Sequence, residues 1–561
     1  MSENTSSHTT AGPSRALIKD ARPGPFQLRY WDGWRLFSLA VALLVVISLA
    51  VVCLSWLTPA PEIWQHLRQT LLARLLLNSL WLVLGVGSLT LLLGVSLAWF
   101  TATCEFPGRR FFSWALLLPL AMPTYVLAFV FVGLLDFAGP VQTLWREWFG
   151  RDAWFPAIRS TPGVIIVMSL ALYPYVYLLA KNAFQTQGRR AMEAAESLGC
   201  GPREGFFRVA LPMARPWIAG GMLLALMEAL ADFGAVSIFN YETFTTAIYK
   251  AWFGFFSLTT AAQLASLLVL LVFILIVVEQ RLRARRRFST ARSSAHATRL
   301  PLKGWRAWGA SCFAGGVLLI AFGLPVVQLS LWTLASYAEE FNVRYFSLLG
   351  RSIGLGLSAA VLICLTALVL SYAARRHTDP LTRGLVRVAN LGYALPGAVL
   401  AVGIFIPLAA VDNILIALGE SFFGWHLRPL LQGTVVIMLL AYLVRFLAPG
   451  FKPVEGAMNR VTPSIDEAAR LSGLRGPALL ARIHFPILRG GLLTAATIVF
   501  VDVMKEMPIT LMTRPFGWET LAVKIFELTA EGEWERAAVP AVALVAAGLI
   551  PIILFMRHSE K

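Results

Sequence analysis

Two carboxylate pairs stand inside otherwise apolar stretches of this 561-residue chain. Glu228 and Asp232 are four positions apart, as are Asp502 and Glu506, and the second pair follows the first by 274 residues. On a helix, positions i and i+4 share a face, so each pair would turn two carboxylates to the same side. An ionised side chain at the centre of a bilayer costs about 2.5–3.5 kcal/mol on insertion scales, so four unpaired acids would cost roughly 10 kcal/mol. Such acids must be paired, hydrated or neutral, and a water-lined path between two halves of a membrane protein supplies that setting. Lys505, three residues after Asp502, is placed to be an ion-pair partner. Two readings stay open: a polar network that holds helices together, or the acidic lining of a translocation pathway. Oxygen ligands suit a hard, highly charged cation, and they equally suit a polyamine or a salt-bridged gate.

The same offset joins two polar loops. The first reads Glu193-Ala194-Ala195, then Gly199, and closes at Leu211-Pro212; the second reads Glu467-Ala468-Ala469, then Gly473, and closes at Phe485-Pro486. Glutamate to glycine is six positions in both copies, and glycine to proline is thirteen. A fixed-offset match of this kind marks an internal duplication. Each loop begins as a short helix with small residues on one side, which lets another backbone approach closely. The glycine then allows a sharp turn. In the first copy an amphipathic piece follows, with Phe206, Phe207 and Val209 at helical spacing. Two copies at identical spacing describe a docking element. The duplication extends further: Asn78-Ser79-Leu80 matches Arg351-Ser352-Ile353 and Met122-Pro123 matches Leu395-Pro396, both at an offset of 273, while Tyr173 and Tyr442 differ by 269.

The elements that must position these residues are membrane helices. The chain is 57% hydrophobic and 14% charged, with a mean hydropathy of +0.69, which excludes an ordinary soluble protein. Apolar runs long enough to cross the hydrocarbon lie near Trp34–Leu57, Ser79–Thr101, Trp114–Leu135, Gly163–Phe184, Trp217–Phe239 and Thr260–Val278. A second set lies near Trp308–Leu334, Ser352–Ala374, Val386–Val411, Gly433–Phe451, Gly490–Leu511 and Val539–Phe555. The expected fold is therefore all-α and polytopic, with about twelve transmembrane helices arranged as two parallel six-helix repeats. An even number of spans per copy gives both copies one orientation. Expected boundaries are an N-terminal segment at 1–33, a first repeat at 34–280, a basic linker at 281–306, a second repeat at 307–556 and a tail at 557–561.

The net charge of +17 is unevenly distributed. The side carrying both termini and both repeated loops holds most of the Lys and Arg, while the other side holds more acids than bases. This is the positive-inside pattern, so termini and loops are expected in the cytoplasm. Arg281, Arg283, Arg285, Arg286 and Arg287 just follow the sixth span, where lipid headgroups explain them better than nucleic acid. The first apolar run has no evident cleavage site and reads as a retained span. Cys53, Cys104, Cys200, Cys312 and Cys364 are scattered and show no disulfide framework or metal-ligand spacing. Pro119, Pro123 and Pro396 interrupt spans three and nine and read as kinks. Trp145, Trp148, Phe149, Trp154 and Phe155 read as an interfacial aromatic belt.

The two loops resemble the EAA loop of ABC-importer permeases: Glu193-Ala194-Ala195-x3-Gly199-x9-Val209-x-Leu211-Pro212, and Glu467-Ala468-Ala469-x3-Gly473-x9-Ile483-x-Phe485-Pro486, where only Phe485 departs from the usual Leu. The resemblance covers about Trp34 to Phe555 and implies the type I importer permease fold, with each loop a coupling helix seated in an ATPase. Two loops imply two copies of a cytoplasmic ABC ATPase. No Gly-x4-Gly-Lys-Ser/Thr phosphate loop occurs in the chain. The chain is thus expected to be a transporter without its own ATPase and to bind no cofactor, ATP and Mg being used by the partner. Ala229-Leu230-Ala231-Asp232-Phe233-Gly234, Phe244-Thr245-Thr246-Ala247-Ile248-Tyr249, Asp502-Val503-Met504-Lys505-Glu506-Met507-Pro508 and Arg514-Pro515-Phe516-Gly517 are most similar to fused permeases of the ferric-iron type. That resemblance implies a periplasmic binding protein delivering the cargo and residence in the bacterial inner membrane. Permeases for thiamine, aminoethylphosphonate or polyamines share the architecture. An ion-coupled secondary carrier and a sensory scaffold are readings of other classes. The resemblance leaves metal ligands unassigned.

Overall fold

A computed structural model describes residues 31–559 except 59, 189–194, 196, 198, 285–298, 425–427 and 475. Twelve of its helical stretches are long and apolar enough to span a bilayer. The first repeat contains α1 (Gly33–Leu54), α2 (Leu72–Thr103), α3 (Arg109–Ala115), α4 (Thr124–Leu135), α5 (Thr161–Ala183), α6 (Leu211–Ala231), α7 (Gly234–Ile238) and α8 (Leu258–Ala284). The second contains α9 (Trp305–Leu318), α10 (Leu324–Glu340), α11 (Val343–Arg376), α12 (Pro380–Ala389), α13 (Gly397–Phe423), α14 (Val435–Met458), α15 (Pro463–Leu471), α16 (Phe485–Lys505), α17 (Pro508–Thr513), α18 (Leu521–Ala530) and α19 (Trp534–Ser559).

Helices whose solvent is lipid gain nothing from burying leucine against one another, so close packing of small residues must hold them. That is what the bundle shows. In the first repeat α2, α5 and α6 pack as a triad; in the second α11, α14 and α16 do the same. A Cβ on Gly94 would lie 2.6 Å from Val176 Cβ, and one on Gly221 would lie 2.8 Å from Val176 Cα. A Cβ on Gly491 would lie 2.8 Å from the Pro453 carbonyl oxygen. The outer surface is apolar instead of charged, with Leu77, Leu92, Phe273 and Leu493 all more than half exposed.

The repeats exchange helices. α1 crosses onto α12 and α13 of the second repeat, and α10 packs against α4 of the first repeat and against α19. At its start α1 is tied down by charge: Arg35 donates to Asp379 at 2.9 Å, and His377 Nε2 lies 2.8 Å from Asp32. The end of the linker also docks. Leu300–Pro301 (β2) forms a two-residue parallel ladder with Cys104–Glu105 (β1), and Leu302 N–H donates to the Glu105 carbonyl at 3.1 Å.

Four spans differ from uniform rods. Span three, expected to run Trp114–Leu135, is α3, a 3-10 turn at Leu118–Ala121 and then α4. Span nine is α12, a turn at Asn390–Ala394 and α13. Prolines set both breaks, because Pro123 and Pro396 force the residue before them out of the helical region. Spans five and eleven, expected as Trp217–Phe239 and Gly490–Leu511, break after Ala231 and Lys505 and resume as α7 and α17. The two acids of each pair therefore do not share one helix face. Asp232 (ψ 131°) and Glu506 (ψ 116°) take extended backbone at the breaks, whereas Glu228 and Asp502 stay on α6 and α16.

Candidate functional site

The helix breaks meet around a cavity of about 410 Å³ between the two repeats. Its wall reaches Pro449 and Pro551, in the halves of α14 and α19 nearest the side that carries the repeated loops. Gly234 of the first repeat also lines it, packed on Tyr125 and on Met507 of the second repeat. A Cβ at Gly234 would sit 2.6 Å from Met507 Cε. It would also sit 2.7 Å from Tyr125 Cβ in the same repeat, so a larger residue here would have to displace both neighbours.

All five intramembrane residues singled out in the sequence line this cavity: Glu228, Asp232, Asp502, Lys505 and Glu506. Their partners divide them into two roles. Asp232 accepts the Ala235 N–H at 2.8 Å, the Val236 N–H at 3.3 Å and the Thr124 hydroxyl, so it caps α7. Glu506 accepts the Ile509 N–H at 3.3 Å, capping α17, and its Oε2 stands 3.2 Å from Arg445 Nε. Both are side-chain caps for N–H groups that a helix start leaves open. The repeat compensates for the longer glutamate: Thr124 faces Asp232, while Gly397, 273 residues on, leaves room where a Cβ would meet Glu506 Oε1 at 2.5 Å.

Glu228 and Asp502 are left to the cavity. Glu228 accepts the Tyr393 hydroxyl at 3.4 Å, a bond between the repeats. Lys505 does not pair with Asp502 as expected. Its ammonium group donates across the repeat boundary to the Leu120 carbonyl at 2.9 Å, and the buried ion pair is Arg445–Glu506. The 3-10 turn ahead of Pro123 frees the Leu120 carbonyl, which is why an acceptor is available there. Arg445, Tyr175 and Tyr393 also line the cavity and went unnoticed in the sequence. Arg445 carried a usable signal, being a lone charge in the apolar run Val435–Phe451. Among the described residues no group of three or more His, Cys, Asp or Glu is placed to hold a metal ion.

At the loops, Glu193 and Ala194 lie outside the described residues. What is described repeats closely. Gly199 has φ +81° and Gly473 φ +82°, while Cys200 N–H donates to the Ala195 carbonyl and Leu474 N–H to the Ala469 carbonyl, each at 2.9 Å. This is a Schellman-type helix end with glycine in the left-handed position. Ala195 and Ala469 are both buried. Glu467 and Ala468 are exposed on α15, where Leu471 is 91% exposed. Pro212 and Pro486 sit in the first turns of α6 and α16, positions that need no backbone N–H. The loops thus lead directly into the helices that carry the cavity acids.

Known proteins match this architecture. The family of binding-protein-dependent transport system inner membrane components matches residues 90–287. The chain is 27% identical over 499 residues to the Fe(3+)-transport system permease protein FbpB 2 of Haemophilus influenzae, covering 87% of this chain and 91% of that protein. It is 24% identical over 530 residues to the ferric transport system permease protein FbpB of Actinobacillus pleuropneumoniae, covering 89% and 73%. To the molybdenum transport system permease protein ModB of Escherichia coli it is 29% identical over 162 residues, 28% of this chain and 69% of that protein. Twelve candidate membrane helices, a duplicated loop-and-cavity layout and relatives aligned along most of the chain point the same way: this is a multi-pass membrane protein similar, along most of its length, to fused permeases of the binding-protein-dependent ABC-importer type.

Proposed function

We propose that this permease imports ferric iron handed over by a periplasmic binding protein, driven by two cytoplasmic ABC ATPases docked at the loops around Gly199 and Gly473. The observation that carries the cargo reading is the charge of the cavity wall. Glu228, Asp232, Asp502 and Glu506 face one arginine and one lysine. Such a wall favours a cation over oxyanions such as molybdate, and oxygen donors suit a hard metal ion. The two long-aligned relatives are both named as ferric-iron transport permeases, which agrees with that choice.

The coupling reading rests on the shared Schellman ends and on the apolar edge of α15, where Ile465, Ala468 and Leu471 are exposed together. Both termini and both loops face the cytoplasm in this reading, as the excess of Lys and Arg on that side requires. The chain divides into permease units at 34–280 and 307–556, joined by the basic segment 281–306. ATP and Mg are handled by the partner, whose closure shifts the permease between two states.

The test is reconstitution of permease, ATPase and binding protein in liposomes. Iron-loaded binding protein should stimulate both ATP hydrolysis and iron uptake, while molybdate-loaded or sulfate-loaded binding proteins should not. Uptake that is unaffected by vanadate would point to an ion-coupled carrier and defeat the reading.

A further inference from the structure

The second loop is fastened to the membrane helices by charge, through residues that the first repeat does not carry at the matching positions. In the second repeat a single carboxylate joins several elements. Arg375, in the last turn of α11, places Nε and a terminal nitrogen each 2.8 Å from Asp466 Oδ2. His484, fully buried immediately before α16, places Nε2 2.8 Å from Asp466 Oδ1. Arg375 also donates to the Met458 carbonyl at 3.2 Å, and His484 Nδ1 lies 3.3 Å from Met458 Sδ at the end of α14. The Tyr372 ring stands edge-on to His484 at 5.5 Å. One side chain at the start of α15 therefore fixes the loop helix to α11, α14 and α16 together.

The matching positions of the first repeat hold apolar residues. Counting back by the repeat offsets, Arg375 falls on Ala102 and His484 on Ala210, neither able to make a charged contact. Tyr372 falls on Trp99, which packs on Phe206 at 4.5 Å and on Phe184 at 5.4 Å. Apolar rings can slide over one another at little cost, whereas charge-assisted hydrogen bonds hold distance and direction. From His484, α16 then runs unbroken through Phe485–Lys505 to the cavity, ending at Lys505 and Glu506. Twenty-one helical residues reach about 30 Å at 1.5 Å each, enough to carry a displacement from the loop to the cavity.

We infer that Arg375, Asp466 and His484 are positioning residues that make the second loop a stiff lever on α16, so that ATPase motion reaches the cavity mainly through the second repeat. The inference rests on ATPase docking at these loops and adds the path by which motion travels. The network couples nucleotide-driven movement to cargo release and does not itself bind the ATPase.

The decisive measurement is cargo imported per ATP hydrolysed in liposomes containing the full complex. Asp466→Asn and Arg375→Met should keep ATPase co-purification and hydrolysis while lowering cargo per ATP by about fivefold or more, the lower end of ordinary coupling between sites. Arg375→Lys, which keeps a cation facing Asp466, should restore most of the ratio. Trp99→Leu in the first repeat should change it less than Arg375→Met does. An unchanged ratio in both second-repeat variants would overturn the inference. So would loss of ATPase association, which would make the network part of the docking surface. Docking itself is tested separately by the glycine variants below, so the two failures are distinguishable.

Discussion

Arg445 Nε stands 3.2 Å from Glu506 Oε2, with both side chains more than nine-tenths removed from solvent, at an angle too poor for a hydrogen bond at that nitrogen. Arg445 instead donates from its terminal nitrogen to the Leu395 carbonyl at 2.7 Å, in the turn that Pro396 opens. One guanidinium thus neutralises the acid that caps α17 and satisfies a carbonyl freed by the break in span nine. Both partners belong to the second repeat, so the pair can persist while the repeats move against each other.

Removing one member of that pair should be costly. Arg445→Met leaves Glu506 buried without a counter-charge, and breaking buried pairs typically destabilises by about 3–5 kcal/mol. Thermal unfolding in detergent should show a marked drop in Tm. The double variant Arg445→Met with Glu506→Gln should recover a substantial part, since it leaves no uncompensated charge. A double variant no more stable than the single one would contradict this account.

Gly199 and Gly473 should resist replacement for a conformational reason. Among the described residues no atom lies within 4 Å of a Cβ at either position, and the left-handed φ is what matters. A non-glycine residue there costs about 1–2 kcal/mol. Gly199→Asp together with Gly473→Asp should abolish ATPase co-purification while the protein still inserts. Asn at both sites, which tolerates this backbone better, should retain part of it. Full retention in the Asp pair would remove the docking role.

Glu228 and Asp502 should matter for cargo more than for folding, because neither caps a helix. Glu228→Gln with Asp502→Asn is expected to cut iron uptake by about tenfold or more with Tm nearly unchanged, the behaviour of groups acting on cargo in transit. Asp232→Ala should instead lower stability by about 1 kcal/mol, as loss of a cap does. Normal uptake by the Glu228/Asp502 variant would exclude those two acids from the pathway.

The fastening of the second loop should survive mild acid. Burial alone would raise the Asp466 carboxyl, but hydrogen bonds from Arg375 and His484 outweigh it and hold the group below its ordinary value of 3.8. A depressed acid stabilises the folded form above that value, and the contribution is lost as pH falls through the folded-state value. The rate of thiol labelling of Glu467→Cys, divided at each pH by that of a free thiol to cancel the changing thiolate fraction, should therefore stay constant from about pH 8 to about pH 5 and rise only below about pH 4. A rise near pH 6 would mean that another group controls the loop.

The repeat, the span count and the identity of the cavity acids were all legible in the sequence, because each depends on local composition or fixed spacing. Membrane-length apolar runs are a matter of length, and a duplicated motif is recognisable without knowing how it folds. The helix breaks were only half legible. Pro123 and Pro396 announced two of them, but the break after Ala231 has no proline and depends on Asp232 finding the N–H groups of α7.

Partner choice was not legible at all. Lys505 follows Asp502 by three residues, yet it reaches Leu120 in the other repeat, because the 3-10 turn there turns an unsatisfied carbonyl into the cavity. Arg445 finds Glu506 sixty-one residues away. The contrast between Asp466 with His484 in one repeat and apolar rings in the other also emerges only when distant helices meet. Spacing along the chain determined which residues lie in the membrane and which sit in the loops. Tertiary packing decided which charges meet, because in a low-dielectric interior each buried polar group takes whichever partner the folded backbone brings within reach.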